Sequence, residues 1–88
     1  MKIKVRNLIG SANRPIANQF EITVGDVVYF QSYASIIIKI KGDKVFLDKN
    51  YWDYSRTTGK YRNLFLGESK GETQSKINSK EYKLVDLN

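Results

Sequence analysis

The sequence has no cysteine and no histidine, and only one proline and one tryptophan. Without cysteine there is no disulfide and no thiolate metal site. Without histidine the usual general base near neutral pH is missing, together with the commonest metal ligand and the standard nucleophile–base pairs. Long hydrophobic runs are missing as well. The longest unbroken aliphatic run is Ile36-Ile37-Ile38, against the roughly 18 residues a membrane span needs. The opening Met-Lys-Ile-Lys-Val-Arg places charge on alternate residues, unlike a signal peptide. These absences point to a cytosolic protein with no membrane partner, no metal and no cofactor.

What is present describes a small folded domain. At 88 residues, residues 1–88 are expected to form a single domain, with no room for a second core. The hydrophobic fraction of 41% and charged fraction of 27% are ordinary, and six Tyr, four Phe and one Trp argue against disorder. The net charge of +6 is spread along both halves of the chain rather than held in a tail. Such an excess suits nucleic acid or an acidic protein, and it also serves plain solubility.

The first two thirds read as β-structure. Ile3 and Val5 alternate with Lys2, Lys4 and Arg6, a period of two with one wet face. Asn7–Asn18, with Gly10, Ser11, Asn13 and Pro15, reads as a loop. Phe20, Ile22 and Val24 alternate again, and Gly25-Asp26 then precedes the apolar Val27–Phe30. Gly42-Asp43 repeats that arrangement between Ser35–Lys41 and Lys44–Asp48. Both dipeptides signal tight hairpins, with Ile36, Ile38 and Ile40 expected on one face. After Asn50, Asp53 or Ser55 can cap a helix reaching about Leu66, ended by Gly67. On it Thr57, Tyr61, Leu64 and Phe65 share a face, while Gly59 costs about 1 kcal/mol against alanine. Ser69 and Glu72 have capping-box spacing for a short second helix to about Ser79, anchored only by Ile77 and so expected to be weakly held. Tyr82, Leu84, Val85 and Leu87 suggest a closing strand at a sheet edge. The expected fold class is α+β: a small antiparallel sheet of about four to five strands with two tight hairpins, one helix packed on it, and a short second helix.

No constellation for catalysis emerges. Glu21, Asp26, Asp43 and Asp48 have no motif spacing between them, and Asp26 and Asp43 are explained by turn chemistry. There is no EF-hand loop, no dinucleotide glycine motif and no P-loop; the Gly59-Lys60 pair lacks the upstream glycine. The expectation is a binding protein rather than an enzyme.

The unusual stretch is Tyr51–Glu68, where Tyr51, Trp52, Tyr54, Tyr61 and Phe65 are interleaved with Arg56, Lys60 and Arg62. Aromatic faces stack on unpaired bases, and guanidinium and ammonium groups meet phosphates. Against this stands a purely architectural account: Trp52, Tyr61, Leu64 and Phe65 fill the core between helix and sheet, and the three cations form the wet face. The mixed case is expected, with Trp52, Tyr61 and Phe65 buried and a partner met by exposed members of Tyr51, Tyr54, Arg56, Lys60 and Arg62. Phe30-Gln31-Ser32-Tyr33 is a second cluster that could touch a ligand or simply end a strand. Lys2, Lys4 and Arg6 suit an edge strand protected from aggregation.

The string Tyr51-Trp52-Asp53-Tyr54-Ser55, followed by Thr57-Thr58-x-Lys60-Tyr61-Arg62-Asn63-x-Phe65-Leu66-x-Glu68, resembles a family of small uncharacterised proteins of phages and mobile elements of Gram-positive bacteria. Asn18-Gln19-Phe20 and Phe30-Gln31-Ser32-Tyr33 are similar to that family too. The resemblance implies an origin in a bacterial host cell and supplies no activity. Small phage proteins act as accessory binders, and some inhibit host defences such as CRISPR nucleases. Three roles follow as expectations: a binder of nucleic acid or a host nucleoprotein, an anti-CRISPR-like inhibitor of a host defence protein, and a structural protein that oligomerises through Tyr82–Leu87.

Overall fold

The computed structural model describes residues 2–88. Strands β1 (Ile3–Ile9), β2 (Pro15–Val24), β3 (Val27–Ser32), β4 (Ser35–Lys41), β5 (Lys44–Asp48) and β6 (Tyr82–Val85) form one sheet whose spatial order is the sequence order. The first five make an antiparallel meander. Helices α1 (Arg56–Leu66) and α2 (Lys70–Asn78) carry the chain back, so that β6 joins the edge beside β5 in parallel, a connection that needs a crossover of this length. The architecture is α+β, as expected, with six strands rather than four to five. The loop expected over Asn7–Asn18 shrinks to residues 10–14, because Asn7 Nδ2 donates to Ile16 O at 2.7 Å and Gly10 N to Arg14 O at 2.8 Å. Pro15 is tolerated as the first residue of its strand, where it withholds only one donor. Among the described residues no helix is long and apolar enough to cross a membrane.

Both helices lie on one face of the sheet. Leu8, Phe30, Ile37, Ile38, Leu47 and Tyr82 are buried there, and Phe65 and Leu66 of α1 and Ile77 of α2 pack on them. The Phe30 and Phe65 rings stack with centroids 5.4 Å apart. Fully burying a ring of this size stabilises by about 1.5–3 kcal/mol, so this pair is a main fastener of helix to sheet. The two Gly-Asp hairpins form where expected, with Gly25 and Gly42 at φ of 61° and 62°. The shared face of Ile36, Ile38 and Ile40 is corrected by a register shift between Phe30 and Gln31. Phe30 faces Ile38 while Gln31 faces Ile36, so Ile37 is the extra residue and enters the core beside Ile38.

The face of α1 is corrected as well. The helix has the expected ends: Ser55 Oγ accepts from Thr58 N, and Gly67 takes the left-handed conformation. Yet Thr57 is exposed and Leu64 is 49% exposed, while Thr58, Gly59 and Arg62 are buried. The helix is turned so that Thr58 Oγ1 meets Ser32 Oγ at 3.2 Å and the Arg62 guanidinium lies over Gly59, where a Cβ would sit 3.5 Å from it.

Helix α2 is held by charge rather than by Ile77 alone. Its capping box is complete. Behind it the Glu68 side chain, only 5% exposed, accepts from Thr73 Oγ1 at 2.6 Å, Lys76 Nζ at 2.8 Å and the Tyr82 hydroxyl at 2.8 Å. Burial alone would raise the Glu68 pKa, but the three donors outweigh it and hold the carboxyl below the usual range. The same contacts hold the Lys76 ammonium well above its usual pKa. A carboxylate whose folded pKa is depressed contributes stability that is complete above its unfolded value, near 4.3, and that is lost as pH falls through the folded value. Denaturant titrations of wild type and Glu68→Gln are therefore expected to differ most at pH 6–7. The two should converge as pH drops below about 4, and a constant gap down to pH 2 would remove Glu68 as the acid-sensitive clasp.

Candidate functional site

The segment between β5 and α1 is shaped by Asp48. Its fully buried carboxylate accepts from Asn50 N at 3.0 Å and Tyr51 N at 2.9 Å on one oxygen and from Leu87 N at 2.7 Å on the other. Burial raises its pKa, and the converging donors, Leu87 first, more than reverse this. The turn so fixed presents Tyr51 and Tyr54 as an edge-to-face pair with centroids 5.4 Å apart. Tyr51 leans on the core and Tyr54 is 68% exposed.

Arg62 lies inside the molecule. It is 1% exposed, donates from Nη1 to Trp52 O at 2.6 Å and from Nη2 to Asn63 Oδ1 at 3.0 Å, and stacks its guanidinium 5.3 Å from the Trp52 ring centroid. It therefore braces the Trp52–Asp53 turn, and its expected place among the exposed cations is corrected: the side chain is enclosed, at the floor of the cleft that Arg56 and Lys60 line. Arg56 and Lys60 are exposed. They line a cleft of about 630 Å³ with Lys70, the first residue of α2. Lys70 Nζ sits 2.8 Å from Asp53 Oδ2, and this contact does most to hold the Asp53 carboxyl below its usual pKa. Lys70 escaped the sequence reading because it lies outside the aromatic stretch; the reversal at Gly67 brings it beside Arg56 and Lys60. The retained signal was the capping box, which places residue 70 at a helix start.

A second cleft, of about 490 Å³, opens on the other side of Ser55 and is lined by Tyr33, Tyr51, Tyr54 and the hydroxyls of Ser32, Ser35, Thr57 and Thr58. Tyr33 is 57% exposed and holds φ at 54°. This left-handed conformation costs a residue with a Cβ about 1–2 kcal/mol. The turn is fixed by Tyr33 N donating to Asn18 O at 2.7 Å and Gln31 Nε2 to Tyr33 O at 2.6 Å. Of the five residues singled out in the sequence, Tyr51, Tyr54, Arg56 and Lys60 thus reach the surface around one helix start, joined by Tyr33 and Lys70.

A model of a family of unknown function, DUF8033, matches residues 3–83. The chain belongs to that family. No curated protein matches this DUF8033 chain, and no solved structure does. The match supports the resemblance to an uncharacterised family and runs through both clefts and strands β1 to β5, ending inside β6.

Tyr33→Gly separates strain from contact. Glycine adopts φ near 54° freely, so the variant is expected to unfold at higher denaturant, by about 1 kcal/mol, while weakening any partner held in the tyrosine cleft. A variant less stable than wild type would mean that the ring is there for packing.

Proposed function

We propose that this DUF8033 protein is a non-catalytic accessory binding domain of phage or mobile-element origin, working in the cytoplasm of a bacterial host and contacting nucleic acid or a nucleoprotein around the start of α1. The observation that carries this is the convergence of Arg56, Lys60 and Lys70 on one cleft that shares Ser55 with a cleft walled by Tyr33, Tyr51 and Tyr54. Cations grouped beside aromatic rings suit a chain of phosphates and bases. The supporting test is fluorescence anisotropy with labelled single-stranded DNA, duplex DNA and RNA over a salt series. Arg56→Ala/Lys60→Ala/Lys70→Ala is expected to weaken binding and to make the log–log salt slope shallower by about 0.9 per lost phosphate contact on duplex DNA, or about 0.7 on a single strand. Unchanged affinity and slope in that variant would sink the proposal.

A second reading is an inhibitor that binds a host defence protein. It is favoured by a groove of about 860 Å³, which Ile9, Pro15, Ile16 and Leu64 line between the β1–β2 connection and α1. Its binding would survive nuclease treatment, fall with Leu64→Asp, and respond little to salt.

A further inference from the structure

Among the described residues, no helix covers the face of the sheet turned away from α1 and α2. Strand alternation places it: Phe30, Ile38, Leu47 and Tyr82 point into the core, so Tyr29, Lys39, Phe46 and Lys83 point the other way. The register aligns one directly opposed row across all six strands, Val5, Ile22, Tyr29, Lys39, Phe46 and Lys83. Across β3 to β6 that row alternates ring, ammonium, ring, ammonium, and Lys39 Nζ lies 5.8 Å from the centroid of the Phe46 ring. The neighbouring row adds Val24, Val27, Lys41 and Lys44. Neither row contains a carboxylate. Asp26 and Asp43 sit in the hairpin turns at one end of the face, lining a cleft with Lys39, Lys41, Lys44 and Phe46.

We infer that this open face is a second, independent binding surface, a stacking platform for single-stranded nucleic acid. The Tyr29 and Phe46 rings would take bases, and Lys39, Lys41, Lys44 and Lys83 would meet the phosphates between and beside them. The charge pattern selects the occupant. A second copy laid fully on this face would bring lysine rows together with only the turn carboxylates Asp26 and Asp43, at one end, to answer them. A polyanion with exposed flat rings matches both halves of the pattern. Tyr29 and Phe46 are two strands apart, roughly 10 Å, a step that a flexible unpaired strand can span. A duplex keeps its bases stacked within itself and would gain only the lysine contacts, so the platform discriminates single strand from duplex.

The inference shares its ligand class with the proposed function but not its residues, and the two fail separately. The experiment is anisotropy of labelled oligothymidylate of 12 nucleotides and of a matched hairpin duplex, with the full chain at fixed salt. Tyr29→Ala/Phe46→Ala is expected to lower single-strand affinity on the order of ten- to hundredfold, as lost base–aromatic stacking does, with duplex affinity unchanged. Lys39→Glu/Lys83→Glu keeps both rings and should lower single-strand affinity as well, which guards against a misfolded double-alanine variant. Arg56→Ala/Lys60→Ala/Lys70→Ala should retain the preference for single strand over duplex. Wild-type affinity for the oligothymidylate in both sheet variants overturns the platform and leaves the helix site standing. Absence of oligothymidylate binding by wild type overturns the platform, while the helix site is decided by the duplex and RNA titrations. Sedimentation showing a dimer that Tyr29→Ala/Phe46→Ala dissolves would assign the face to a second copy instead. Flotation with anionic vesicles that the same variant abolishes would assign it to a lipid surface. Either result overturns the inference.

Discussion

Asp48→Ala is expected to lower the unfolding free energy by roughly 3–5 kcal/mol, the range for stripping a buried charged acceptor from several donors at once. The carboxylate is fully buried, and Asn50 N, Tyr51 N and Leu87 N lose their acceptor together. At the ~0.05–0.15 kcal/mol per residue typical of native proteins, such a loss removes roughly a quarter or more of the total. Urea midpoints followed by circular dichroism test this, and a loss under about 1 kcal/mol, the size of one ordinary hydrogen bond, would refute it. Asp48→Asn gives a more selective result. Its single carbonyl oxygen can serve either the Asn50–Tyr51 pair or Leu87, and its amide nitrogen then opposes the remaining donor. If the oxygen stays with the pair, the turn carrying Tyr51 and Tyr54 persists while the chain end is released. Hydrogen exchange should then accelerate at Leu87. It should also accelerate at Ile36, whose N–H and C=O are bonded by the Asn88 side chain at 2.8 Å and 2.9 Å. Because the folded pKa of Asp48 is depressed, its contribution is complete above the unfolded value near 3.9 and lost as pH falls through the folded one. The gap between the alanine variant and wild type should therefore narrow in acid.

Much of this fold is legible in local chemistry. Gly25-Asp26, Gly42-Asp43, Ser55, Gly67 and the Ser69–Glu72 box act over a few residues, and each stands where its turn or cap was expected. What stayed hidden depends on partners distant in sequence. Ile37 enters the core only because β3 and β4 slip by one residue, and no pattern within β4 alone announces the slip. The third hairpin turns at Tyr33 without glycine, its strained φ sustained by Asn18 and Gln31. Thr73, fully buried in α2, reads as a surface residue until Glu68 and Tyr82 are brought to it. The candidate site divides the same way. The aromatic and basic composition of Tyr51–Glu68 marked the right part of the surface, but exposure is a tertiary property, and it excluded Arg62 and admitted Lys70.

Arg62 carries the second large expected effect, one that separates a folding residue from a binding residue. Arg62→Ala removes the donor to Trp52 O, the donor to Asn63 Oδ1 and the cation over the Trp52 ring, and a loss of about 3–5 kcal/mol follows for breaking a buried charged cluster. Arg62→Lys keeps the charge but offers one compact ammonium where the fork reached three acceptors, Trp52 O, Asp53 Oδ1 and Asn63 Oδ1, so it should recover only part of the loss. Arg62→Met keeps the stem and leaves Trp52 O without a partner, so it should recover less than lysine if hydrogen bonding dominates and more if packing does. Trp52 is the only tryptophan in the chain, which makes its emission a direct report on this turn. It should shift to longer wavelength in Arg62→Ala well before the global urea midpoint. The consequence for binding is specific: conditions that keep Arg62→Lys folded should return its salt slope to the wild-type value, because no phosphate contact is lost. Replacing Arg56, Lys60 and Lys70 should flatten that slope with the urea midpoint unmoved. If Arg62→Lys instead binds with a shallower slope at full foldedness, the guanidinium leaves its buried seat to meet the ligand and belongs to the binding surface after all.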